Sequence, residues 1–214
     1  SLELYFGSRQ IISLEITGIE ADGLCEIEKR FGVILPGEAI TRRLLRVPFY
    51  LDAYLRNVER FPQSGKADFK NWLWLHKVQD GNSIDSAAEC FQWMIKKRLQ
   101  KRDYWLETDG VDAVALKSLV GRGIIVYDSL LLRYYLTHDV YEEIAIERLI
   151  DAIRMDGDDS KFFERLSVSR SMIRAYRMWL KDMLVSAPQE ARRVVDCALE
   201  QSVRCWADES LLAV

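Results

Sequence analysis

The stretch VDAVALKSLVGRGIIVYDSLLLRYYLTHDVYEEIAIERLIDAIRM, residues 111–155, constrains the fold most, because it sets three different elements one after another. Val111, Val114, Ala115, Ser118 and Leu119 fall at i, i+3, i+4, i+7 and i+8, the spacing of one helix face. Gly121 and Gly123 then offer the freedom at positive φ that a helix exit needs. Beyond them, IIVY and LLLRYYL are short runs of β-branched, aromatic and leucine side chains divided by Asp128 and Ser129, which predicts a hairpin. After Thr137, read as an N-cap, Asp139, Glu142 and Glu143 sit where acids favour a helix N-terminus. Tyr141, Ile144, Ala145 and Leu149 line one side of that second helix, and Glu143, Glu147 and Asp151 another.

Helix, hairpin and helix in that order predict a winged-helix domain. With 214 residues the chain has room for a sizeable core and one or two compact domains. Few glycines and prolines against many Leu, Ala, Arg and Glu favour a mainly α fold with a small β-hairpin wing. A net charge of -3 provides no whole-protein field toward nucleic acid or an anionic membrane, so any such binding needs a local patch. The four cysteines, Cys25, Cys90, Cys197 and Cys205, have no C-x-x-C spacing and read as buried, reduced thiols, which implies a cytoplasmic setting. His76 and His138 are the only histidines, too few for an ordinary structural zinc site. No apolar run reaches the roughly 18 residues of a membrane span, and no signal peptide opens the chain. Starting at Ser1 without methionine, the sequence reads as a piece of something longer.

Two β-like runs come first, Leu2 to Phe6 and Ile11 to Ile19. Leu24, Ile27 and Phe31 then share a helix face that Gly32 stops. Glu38 to Arg46 forms another helix, and Pro48 ends it and opens the next, PFYLDAYLRNVERF. The cluster Phe61 to Asp68 is the best boundary. Past it, Phe69, Trp72, Leu73 and His76 share a helical side closed by Asp80 to Asn82. Ile84 to Arg102 carries Ala88, Phe91, Met94 or Ile95 and Leu99 inside, with basic residues at its C-terminal end. Ser169 to Val185 places Ile173, Tyr176, Leu180 and Met183 or Leu184 opposite the stripe Arg170, Arg174, Arg177 and Lys181. Pro188 starts a last helix bearing Val195, Ala198, Leu199, Val203 and Trp206. The expected division is residues 1–62, before that boundary; 63–156, the winged helix; and 157–214, a helical segment.

The role of residues 1–62 is read from a resemblance. LTHD, Leu136 to Asp139, with RVPFYL, Arg46 to Leu51, resembles the lid and winged helix of STAND-class signalling ATPases, the NACHT and plant-resistance types. LTHD is similar to the MHD motif of that class, with Thr137 in place of the methionine. FFERLSVSRSMIRAYRMWL resembles the helices that follow this winged helix in bacterial members. The resemblance implies that His138 contacts the β-phosphate of ADP in a resting state and that Pro48 lies beside the adenine. It further implies that residues 1–62 are the end of an ATPase core and a helical lid-like segment, with ADP/ATP as cofactor, the remainder of the parent ATPase as partner, and a homo-oligomer on activation. Arg9, in YFGSR, stands as a weaker γ-phosphate candidate beside a plain surface role.

An imidazole N–H at a helix N-terminus can donate to a phosphate oxygen where the helix already favours an anion. The competing role for His138 is to cap its own helix or to sit satisfied in the core. Residues 1–214 contain no G-x-x-x-x-G-K-[ST] loop, so the chain alone is not expected to hydrolyse ATP. The runner-up is a standalone winged-helix protein-interaction or DNA-binding module. DNA is the weaker choice, since the first helix offers only Lys117 and the wing only Arg122 and Arg133. The stripe from Arg170 to Lys181 could take an acidic partner, against a plain solvated face. No Ser-His-Asp order, Cys-His pair or histidine-rich metal cluster marks an independent enzyme.

Overall fold

The computed structural model describes residues 18–61, 69–79, 86–155 and 161–214, and the chain divides into two compact units, Ser1–Gln63 and Ser64–Val214. Eleven α-helices and one antiparallel hairpin make up the described residues, so the fold is mainly α with a small β element. No helix among them is long and apolar enough to cross a membrane. Leu2 to Phe6, Arg9 and most of Ile11 to Ile19 lie outside the described residues, as do most of the Phe61 to Asp68 boundary and all of Asp80 to Asn82.

The first unit holds α1 (Ala21–Phe31), α2 (Ala39–Leu45) and α3 (Pro48–Leu55). Gly32 ends α1 with a φ of 63°, and its amide donates to the Glu28 carbonyl. Of the expected α1 face only Leu24 is buried, while Phe31, at the helix end, is exposed. Val47 is extended, as a residue before proline must be, and Pro48 occupies the first turn of α3, where its missing N–H costs nothing. Leu24, Leu44, Leu45, Tyr50, Leu51 and Tyr54 are buried in this unit. The Ile19 amide donates to the Arg46 carbonyl at 2.7 Å, and Arg46 Nε donates back to the Ile19 carbonyl at 2.8 Å. This double bond draws the backbone so close that a Cβ on Gly18 would stand 2.9 Å from the Arg46 carbonyl oxygen.

The second unit begins with α4 (Phe69–Leu73), which passes directly into a π-helical turn, Trp74–Val78. That turn inserts extra backbone into the helical period. As a result Trp74 and Val78 are buried and the expected inward residue His76 faces out, stacked on Trp72. Then come α5 (Ser86–Lys101), α6 (Ala113–Gly121), β1 (Ile125–Asp128), β2 (Arg133–Leu136) and α7 (Asp139–Met155). The last four helices are α8 (Phe162–Arg165), α9 (Arg170–Ser186), α10 (Pro188–Leu199) and α11 (Arg204–Ala213). The α5 face Ala88, Phe91, Met94, Ile95 and Leu99 is buried as its periodicity predicts. Helix α9 packs on α7, α10 and α11, and α7 also packs on α5, α8 and β2. An aromatic cluster joins these helices: Phe163, Tyr176, Trp179 and Trp206 lie with ring centroids 5.2–5.9 Å apart. Ser210 donates to the Trp206 carbonyl at 2.7 Å, which spends its only proton, so Tyr176 donates to Ser210 at 2.7 Å.

Several expected faces shift. On α6 only Ala115 and Leu119 are buried, and Val114 is 74% exposed. The inward side of α9 includes Met172, Ala175 and Trp179 beside Tyr176, Leu180 and Met183, because three neighbouring helices widen it. The single last helix expected from Pro188 to Trp206 breaks at Glu200 to Val203; Leu199 and Val203 are exposed, and Trp206 is buried from α11 instead. None of the four cysteines is buried: Cys25 is exposed and the others are half-buried.

Candidate functional site

The junction from β2 into α7 positions His138. The hairpin pairs Ile125 with Leu136, Val126 with Tyr135, Tyr127 with Tyr134 and Asp128 with Arg133. The Thr137 amide continues that pairing to the Ile124 carbonyl at 3.1 Å, and the Thr137 hydroxyl lies 2.6 Å from the Gly123 carbonyl. Thr137 therefore closes the hairpin and does not cap α7, because its hydroxyl is turned back toward the α6 exit. The cap is His138 itself. Its Nδ1 accepts the Val140 amide at 3.1 Å, and its carbonyl accepts the Tyr141 amide at 3.2 Å. An Nδ1 that accepts carries no proton, so the neutral ring bears its proton on Nε2, on an exposed side chain.

Pro48 is exposed at the first turn of α3. It belongs to the first unit and His138 to the second, so each is a surface feature of its own unit. Arg9 lies outside the described residues. The stripe on α9 is not uniformly solvated: Arg177 pairs with Glu209 of α11. The cations ending α5 are also engaged, Lys97 over the Trp93 ring at 5.5 Å and Lys101 with Glu107 at 2.6 Å.

The strongest electrostatic feature of the second unit was not predicted from the sequence. Lys70 of α4 donates to Glu147 Oε1 of α7 at 2.6 Å and to Asp182 Oδ2 of α9 at 2.9 Å, with Lys70 and Glu147 both buried. One ammonium faces two carboxyl groups, and a net negative charge left in this interior would be costly. The cheapest arrangement protonates the more deeply buried acid. Burial pushes Glu147 up to about 8 despite the opposing Lys70 ammonium. Burial pulls Lys70 down, but the Glu147 and Asp182 carboxyls outweigh it and its pKa ends above the ordinary lysine value. Lys70, bridging the two carboxyl groups, thus makes a clamp across α4, α7 and α9. The available signal was a lysine at i−3 and i−4 from the apolar Leu73 and Trp74, on a face otherwise made for the core.

Glu142, also expected at the outer start of α7, is buried. It lies 3.4 Å from Arg98 of α5 and accepts Ser171 Oγ of α9 at 3.3 Å. Burial raises its carboxyl above the usual range, with Arg98 opposing. The first turn and the middle of α7 are therefore held by ionic contacts through its acids, and His138 directly precedes that first turn. The chain matches no protein-family model and no curated protein.

Proposed function

We propose that α6, the hairpin and α7 act as a winged helix, and that the chain is the regulatory, nucleotide-state-sensing portion of a STAND-type signalling ATPase. In this reading the phosphate-binding core lies outside the 214 residues, and ADP/ATP binds only with that core present. His138 contacts an ADP phosphate in the resting state and Pro48 of the lid lies on the adenine side. Exchange to ATP then moves the winged helix away and frees the parent protein to assemble with further copies. The observation that carries the reading is the state of His138. It stands exposed at the hairpin-to-helix step, with Nδ1 committed to the Val140 amide, which leaves the ring a donor at Nε2.

The test is ADP calorimetry on the parent protein from its natural start, with and without His138→Ala. A charge-assisted hydrogen bond of about 1.5–3 kcal/mol implies roughly ten-fold or more weaker ADP binding in the variant. Equal ADP retention by both proteins overturns the assignment. The same chain acting alone as a winged-helix protein-interaction module is the second reading, favoured by the leucines exposed on the hairpin.

A further inference from the structure

The turn between β1 and β2 departs from the sequence expectation in a way that creates a surface. LLLRYYL reads as one strand, yet β2 begins only at Arg133 and Leu130, Leu131 and Leu132 form the hairpin tip, 92%, 60% and 72% exposed. Two features hold them there. Asp128 Oδ1 accepts the Leu130 and Leu131 amides at 2.8 and 3.0 Å, which removes the donors a strand would need. Leu132 takes a φ of 52°, a conformation that glycine or asparagine adopts more readily. A strained leucine inside a fixed turn presents three apolar side chains to the outside, where apolar residues in contiguity mark a contact surface.

The same unit carries a matching depression. Leu99 of α5, Leu149 and Ile153 of α7 and Met172 of α9 line a groove of about 510 Å³. That is several times the roughly 150 Å³ that encloses a benzene, so leucyl side chains fit it. Lys96 and Arg165 add positive charge to its lining. At the base of the tip, Arg133 is drawn over the Trp105 ring at 3.6 Å, so the carboxylate of Asp128 is the charge next to the leucines. Knob and groove thus agree in polarity at the centre and in opposite charge at the edge. The tip precedes the N-terminus of α7, whereas Leu149 and Ile153 lie in its C-terminal half, and the exposed tip leucines do not fill their own groove.

We propose that the occupant of the groove is the leucine tip of a second copy of this chain, giving a head-to-tail contact. Because tip and groove differ, every copy offers one of each, and the contact repeats from copy to copy or closes reciprocally as a two-fold pair. So small a contact falls below the ~1,200 Å² of stable interfaces, and the association is weak and concentration-dependent. The proposal does not depend on the nucleotide-sensing reading, because neither His138 nor Pro48 takes part.

The experiment is sedimentation of the 214-residue chain from about 10 μM to about 1 mM, the range for contacts of this size. Two single variants at exposed positions accompany it, Leu131→Asp in the tip and Ala152→Arg in the groove. The wild-type mass is expected to climb above 24.9 kDa with concentration, while each variant alone stays at the monomer mass with unchanged helical circular dichroism. An equal mixture of the variants retains one intact tip and one intact groove, and is expected to stop at a dimer. A wild-type mass flat across the range overturns the proposal, as does undiminished association by either variant or a mixture that stays monomeric. Vesicle binding lost in Leu131→Asp, with no self-association, would assign the tip to a lipid surface instead.

Discussion

Glu147→Gln isolates the charge balance of the buried clamp. Glutamine keeps the shape and an oxygen for Lys70, but cannot ionise. In the wild-type protein the folded carboxyl is held at about 8, against an ordinary value of 4.5. The folded state therefore binds more protons than the unfolded chain between those values. Its contribution is fully present below about pH 4.5 and is lost as pH rises through about 8. At about 1.36 kcal/mol for each pKa unit, the gap sets a ceiling near 5 kcal/mol. Local relaxation and water entry around the ionised form reduce this to about 2–3 kcal/mol. All six tryptophans fall within Ser64–Val214, so tryptophan fluorescence reports the second unit alone in a urea titration. With a slope of about 2 kcal/mol per molar urea, the wild-type midpoint should drop by about 1 M more than that of the variant between pH 5 and pH 9. Groups outside the clamp titrate equally in both proteins and cancel in the difference. Parallel pH profiles would show that Glu147 is already ionised in the folded state, and the charge-balance argument would be wrong.

The other expectations concern packing. Trp206→Ala removes a buried ring from among Phe163 and Tyr176 and should destabilise the second unit by about 3–5 kcal/mol, read by urea denaturation with fluorescence from the remaining tryptophans. Gly18→Ala places a methyl 2.9 Å from the Arg46 carbonyl oxygen, and should cost the first unit about 1–2 kcal/mol by forcing the Ile19–Arg46 pairing apart. Protection of the Ile19 amide in hydrogen exchange, reduced in the variant, is the readout; equal protection would refute the close approach.

Local chemistry was legible where a residue acts on its own backbone. Gly32 at positive φ and Pro48 and Pro188 in first helical turns all follow from constraints internal to a few residues. The α5 stripe was equally legible, since one buried face repeats at the helical period. Periodicity failed on α7, where Glu142 and Glu147 look like solvent positions. Several elements pack around that helix, and their charges arrive from distant chain positions: Lys70 meets Glu147 across 77 residues and Asp182 across 112. The tip leucines failed for a different reason. Their composition favours a strand, but the Asp128 side chain captures two of their amides before a partner strand can. At the site, the amino-acid sequence alone placed His138 between a strand and a helix. Folding settled its cap role and its proton position, because only the completed hairpin turns Thr137 back to Gly123 and leaves the Val140 amide for the imidazole.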